Sequence, residues 1–211
     1  MHGPSSGSTG PDPKRQAILR AARSDFVSKG FADTRIEPIA RRAGVSTATL
    51  YALFSGKDDL FTAVIDDAAE DFARQMAGVR AIDGDARAQL TSFGEAYATF
   101  MSDPFVRSVF RLVMAERPRF QAVALGFFKL GQREFGGTLI GLIKALRDRG
   151  ELGPVDHPSR AAGAFLGMVE HPLFFVPLVT GDEVQVKRTN AQIVADAVDT
   201  FLARWGPPAQ G

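Results

Sequence analysis

Along most of the chain, apolar residues recur every three to four positions, the spacing of one helix face. No segment alternates convincingly at period two, as a half-buried strand would. Ile18, Ala21, Ala22 and Phe26 share such a face in a first helix. It begins at Asp12-Pro13, an acidic cap before a proline at the first helical position, and Gly30 ends it. Short helices are predicted over 36–42 and, after a cap at Ser46, as far as Leu53. A fourth helix, 57–77, carries Leu60, Val64, Ile65, Ala68, Phe72 and Met76 on one side. Helices over 85–101, 105–115 and 118–148 follow, closed by Asp103-Pro104 and Gly150. After the loop ELGPVDHP a helix covers 159–170, and Pro172 and Pro177 are expected to interrupt its continuation. The last helix, 184–205, has Ile193, Val194, Ala197, Val198, Phe201 and Leu202 as its stripe. The pattern predicts an all-α protein of about nine helices, with no internal repeat.

Gly126, Gly131, Gly136, Gly137 and Gly141 fall inside the long segment 118–148. Each costs about 1 kcal/mol relative to Ala in a helix interior. Their spacing does not hold one face, so a bend or irregular turn is expected there, beside a ligand site.

The two short helices are joined by Ala43-Gly44-Val45-Ser46, which fits a helix-turn-helix. Gly44 suits a chain leaving a helix with positive φ. Val45 would seat in the core, and Ser46 would cap the next helix through its free backbone N–H groups. That helix would enter the major groove of DNA. Thr47, Ala48 and Thr49 are small enough to bring its N-terminus close to base edges. The Tyr51 hydroxyl and the Lys57 ammonium would reach phosphates.

The 211 residues are ample for a sizeable core, and 45% apolar with 23% charged residues are ordinary soluble values. Cysteine is absent, which excludes disulfides, thiolate metal sites and cysteine nucleophiles. The net charge of +1 hides an asymmetry. Residues 1–57 hold nine Lys or Arg and four Asp or Glu, a net +5; residues 58–211 hold sixteen and twenty, a net −4. A basic end on a near-neutral body points mildly to nucleic acid. The apolar run 166–179 is broken by Glu170, His171, Pro172 and Pro177, so no membrane span is expected. The opening MHGPSSGSTGPDP has no apolar core of a signal peptide; residues 1–11 are expected to be a disordered tail, and the protein cytoplasmic. His157 and His171 have no third ligand in view, and neither a metal-binding His-Glu motif nor a Gly-rich phosphate loop occurs. No cofactor, metal site or catalytic residue is expected.

The stretch KRQAILRAARSDFVSKGFADTRIEPIARRAGVSTATLYALFSGKD closely resembles the DNA-binding domain of the TetR family of transcriptional regulators. Gly30-Phe31, Thr34, Ile36, Ile39-Ala40, Ala43 to Ser46, Thr49 to Tyr51, Phe54, Lys57 and Leu60 carry the resemblance without a gap. Arg35 and Leu53 depart from the family's usual Thr and Tyr or His, and Leu53 forfeits a polar phosphate contact. Thr34 and Glu37 look like a capping box. Pro38 would then sit where an N–H should bond the cap carbonyl, so the helix start is placed at Arg35 or Ile36.

The resemblance implies a DNA-binding domain over 12–57, with Thr34, Arg35, Ser46, Thr47, Ala48, Thr49, Tyr51 and Lys57 as its DNA-binding residues. It implies a larger helical ligand-binding and dimerisation domain over 58–211. The run FRLVMAERPRF, the long helix and RDRGELGPVDHPSRAAGAFLGMV look like the AefR subgroup. Phe93, Tyr97, Phe100, Phe110, Met114, Phe127, Phe128, Phe165 and Met168 come from helices that the family arranges around a cavity, with Glu116, Glu170 or His171 as polar candidates. Such a lining suits a neutral or cationic, largely apolar or aromatic effector. An aromatic or fatty acid paired to Arg107 or Arg111 is its competitor. The last two elements, with Val198, Phe201, Leu202 and Trp205, would form a homodimer interface. The expected function is a ligand-responsive regulator, a repressor released from a palindromic double-stranded operator by its effector. The alternative is a helical small-molecule-binding protein or enzyme of the same fold that does not bind an operator.

Overall fold

The computed structural model describes residues 12–77, 83–184 and 186–207. The tail 1–11 and the side chain of Met76 lie outside the described residues. Those residues form nine continuous helices and no strand. They are α1 (Pro13–Asp33), α2 (Ile36–Arg42), α3 (Thr47–Leu53), α4 (Lys57–Ala77), α5 (Ala86–Met101) and α6 (Pro104–Glu116), then three more. Helix α7 joins Gln121–Gly131, a π-helical turn Gln132–Gly137 and Thr138–Asp148. Helix α8 joins Pro158–Glu170, a π turn His171–Phe175 and Val176–Thr180; α9 is Asn190–Trp205. The chain divides into two compact units, Met1–Asp67 and Ala68–Gly211. The division falls inside α4 rather than at its start, because Leu60, Phe61, Val64 and Ile65 are core residues of the first unit.

In the first unit the Asp12 carboxylate accepts from the Lys14 N–H at 3.0 Å and Pro13 opens α1. Gly30, at φ 75° and ψ 176°, kinks the helical path, so Phe31 turns into the core while Ala32 and Asp33 stay exposed. Phe26, Phe31 and Phe61 form a buried triad with ring centroids 5.3–5.9 Å apart. Asp25, buried in α1, pairs with Arg42 of α2 at 2.8 Å and with Lys29 at 3.1 Å.

In the second unit α5, α8 and α9 pack together. Gly94 permits the closest approach: a Cβ there would lie 2.6 Å from Val194 Cγ1 of α9. Phe93, Phe165 and Phe201 run through the middle of this layer, all buried, with tilted and edge-to-face ring contacts at 6.3 and 5.8 Å.

Three expectations are corrected here. The prolines do not interrupt α8: the π turn His171–Phe175 widens the helix where Pro172 supplies no N–H, and the Val176 N–H donates to the His171 carbonyl five residues back. The uninterrupted Pro158–Thr180 is therefore long and apolar enough to cross a membrane by length and composition, which the segmented reading denied. Its buried side, including Phe165, Val169, Leu173 and Phe174, belongs to the core of the second unit. Finally, α9 starts at Asn190 rather than 184, because Thr189 and Gln192 form a reciprocal capping box there.

Candidate nucleic-acid interface and ligand cavity

Helices α2 and α3 meet through a tight turn. Gly44 takes φ +69°, the left-handed region, and the Val45 N–H donates to the Ala40 carbonyl at 3.0 Å. Val45 is only partly buried. The Ser46 hydroxyl accepts from the Thr49 N–H at 3.0 Å and bonds the Thr49 hydroxyl at 2.9 Å, fixing the start of α3. Leu50 anchors the helix in the core, leaving Thr47, Ala48 and Tyr51 facing solvent. Arg35 and Arg41 are exposed at the two ends of α2.

Besides Ser46 and Thr49, which bond each other, two more of the eight expected contact residues have partners within the chain. Thr34 is buried and its hydroxyl donates to the Gly30 carbonyl at 2.7 Å, so it stabilises the Gly30 turn rather than reaching outward. No side-chain capping bond holds α2, whose first residue is Ile36 as the Pro38 argument required. Lys57 sends its ammonium back to the carbonyls of Ala32 at 3.0 Å and Thr34 at 2.8 Å, and lies 4.5 Å from the Phe31 ring centre. Two of its three donors are engaged within the chain.

The second unit contains an apolar cavity of about 260 Å³. Of the nine candidate lining residues, Tyr97, Phe100, Phe110, Phe127 and Phe128 reach it. Phe93 and Phe165 do not line it; they are buried in the α5–α8–α9 layer. Met114 is 51% exposed on α6, and Met168 is partly buried outside the lining. Sequence reasoning missed Phe72, Met101, Leu130, Glu134, Phe135 and Leu166. Phe72 lies on the apolar stripe of the fourth helix, and a core stripe and a cavity wall have the same period. The glycine cluster is the usable signal: Gly131 and, from the π turn that follows it, Gln132, Glu134, Phe135 and Gly136 form one wall.

Among the polar candidates only Glu170 lines the cavity. The Tyr97 phenol donates to its Oε2 at 3.0 Å. Burial, then the charge of Glu170 and this hydrogen bond, raise the phenol well above its ordinary value, so it remains a protonated donor. His171 is exposed and stacks on Phe175 at 5.4 Å. Arg107 and Arg111 lie outside the lining. Arg107 donates to Asp182 at 2.7 Å and to the carbonyls of Met101 and Leu173; Arg111 donates to Asp182 at 3.0 Å and to the carbonyls of Pro177 and Leu178. Desolvation pulls the Asp182 carboxyl upward, but hydrogen bonds from Arg111 and Arg107, with their charges, outweigh it and hold the group below the usual carboxylate range. Among the described residues no group of three or more His, Cys, Asp or Glu could hold a metal ion.

The expected dimer residues are also revised. Val198 and Phe201 are fully buried within the chain itself, Phe201 against Phe165 and Trp205 at 5.8 and 4.8 Å. The shared stripe of α9 packs on α5 and α8, so it cannot also face a second copy. Leu202 and Trp205 are only partly buried.

A capped helix-turn-helix followed by an all-helical unit fits the class of helix-turn-helix transcriptional regulators. Residues 18–64 match the family described as "Bacterial regulatory proteins, tetR family", and residues 88–207 match "AefR-like transcriptional repressor, C-terminal domain". The chain belongs to the TetR family of transcriptional regulators. It is 32% identical over 90 residues to the HTH-type transcriptional activator FasR of Mycolicibacterium smegmatis, a match covering 43% of this chain and 41% of FasR. A TetR-family regulator from Mesorhizobium loti MAFF303099 superposes with a TM-score of 0.77 at 25% identity, over 92% of this chain and 96% of that one. The Flavonoid-responsive Regulator FrrA gives 0.68 at 26% identity, over 93% and 98%.

Proposed function

We propose that this regulator binds a palindromic double-stranded operator as a homodimer, acts as a repressor in the cytoplasm, and is released by a small apolar or aromatic effector. The observation that carries the reading is the outward face of α3: Thr47, Ala48 and Tyr51 are exposed on a helix whose turn and cap are fully specified. Thr47 and Ala48 are assigned to base edges; Tyr51 and Arg35 are assigned to phosphates, with the remaining Lys57 donor. Two copies would set their α3 helices one helical turn of DNA apart or more, roughly 34–36 Å. The description of the matched C-terminal family favours repression, and the responsiveness to flavonoids in FrrA's name favours an aromatic effector.

The surface proposed for dimerisation is the uncovered side of α8 and α9. Gly163, Gly167, His171, Phe175 and Val179 form an exposed stripe on α8, and Ala195 and Ala203 are exposed on α9. Phe175 and Val179 are 51% and 67% exposed, while small residues beside them allow close helix approach. Effector binding in the cavity would favour a conformation with the wrong α3 separation, through a coupling of about 1–3 kcal/mol.

The test is a fluorescence anisotropy titration with DNA from upstream of the protein's own reading frame, across a salt series. The expected log–log slope is near −0.9 per phosphate contacted. Binding no tighter than to a scrambled duplex, at every salt concentration, would favour a ligand-binding protein or enzyme of this fold without an operator.

A further inference from the structure

The charge of the effector follows from the cavity wall. The charged residues lining it are Glu134 and Glu170, and no Lys, Arg or His joins them. Glu134 pairs with the exposed Arg133 at 3.0 Å. Glu170 accepts from the neutral Tyr97 phenol, and no cation pairs with it among the described residues. A partly buried carboxylate facing an apolar space without a counter-charge is costly, and a cationic ligand would supply that charge. An anion would meet repulsion there, and the two arginines that could have received it are bound to Asp182. The surrounding rings offer their negative faces to a cation as well. Both carboxylates stand at π turns, Glu134 inside Gln132–Gly137 and Glu170 directly before His171–Phe175.

We infer that the cavity takes an aromatic organic cation, an amine or quaternary ammonium. Its nitrogen sits beside Glu170, and its ring lies among Phe100, Phe110, Phe127 and Phe135. This rests on the reading of the cavity as the effector site. Tyr97 keeps the carboxylate oriented and gives way, or shares it, when the cation enters. Selectivity against neutral look-alikes then comes chiefly from Glu170, with the ring faces adding to it.

The experiment uses three probes of similar size on the full chain: protonated 4-phenylpiperidine, the neutral ether 4-phenyltetrahydropyran and the anion 4-phenylbutanoate. Dissociation constants come from saturation-transfer NMR. The wild type should bind the cation at least about tenfold tighter than the ether, the ratio given by about 1.4 kcal/mol of charge-specific attraction, and the anion most weakly. Glu170→Gln should reduce that ratio several-fold through lost cation affinity, whereas Tyr97→Phe should retain it. Equal affinity for cation and ether, a preference for the anion, or no cation binding at millimolar concentration overturns the inference, and the wild-type ratio decides even if a variant fails to fold. Operator binding is measured on the same preparation. Loss of cation selectivity with intact operator binding sinks only this inference; cation selectivity without operator binding sinks only the regulator reading.

Discussion

The Tyr51 hydroxyl has no hydrogen-bond partner among the described residues, and the side chain is 52% exposed on α3. Removing it should therefore leave the fold intact. Tyr51→Phe is expected to weaken operator binding by about 3–10-fold, the worth of one ordinary hydrogen bond, with no change in melting temperature. Unaltered affinity would remove Tyr51 from the interface. Lys57 was legible as an important cation, but its principal partners were not. A lysine that caps carbonyls 23 and 25 residues away looks, in sequence, like one that awaits a phosphate. Asp182 was not legible at all, since its role depends on two arginines that reach it from α6. Its depressed carboxyl value makes its contribution present above the unfolded-state value and lost as pH falls through the folded-state value. Asp182→Asn should cost about 1–2 kcal/mol at pH 7, discounted because the carboxylate is a third exposed. In urea denaturation the gap to wild type should shrink as the medium is acidified below the normal carboxylate range; a gap independent of pH would contradict the ion-pair account.

At the scale of elements, capping chemistry was the readable part. Asp12-Pro13, Ser46 and Asp85 begin their helices where sequence placed them, because a cap is a local bond within three residues. The π turns were only half readable. Glycines announced an irregularity in α7, but Pro172 and Pro177 were read as breaks although a widened turn carries them. The stripe of α9 was read correctly as apolar and wrongly as unpartnered. Its partners, Gly94 on α5 and Phe165 on α8, lie about 100 and 36 residues away in sequence, and only the fold brings them together. The dimer prediction changes accordingly. Phe175→Glu with Val179→Glu should yield a folded monomer by analytical ultracentrifugation, with native helical circular dichroism. Charges at Val198 and Phe201 should unfold the chain instead, by burying unpaired charge. A double Phe175/Val179 variant that remains dimeric at micromolar concentration would move the interface elsewhere.

Over the whole molecule, the class of fold and the DNA-reading end were accessible because both rest on short-range patterns: period, turn and cap. The cavity was accessible only in part, since nothing in a helical stripe distinguishes a residue facing a void from one facing a neighbour. Phe93 and Phe165 became core, and Phe72 and Phe135 became wall. Helix α4 contributes to both units, with Phe61 in the core of the first and Phe72 at the cavity of the second. In the proposed function, α3 reads a specific duplex sequence in two symmetric copies. Selection from a random-sequence double-stranded DNA library with the full chain, followed by sequencing, tests it most directly. An inverted repeat whose half-sites are at least one helical turn apart should be enriched, with a base preference that shifts when Thr47 or Ala48 is replaced. Retention of DNA without any enriched sequence, or enrichment indifferent to those two positions, would contradict it.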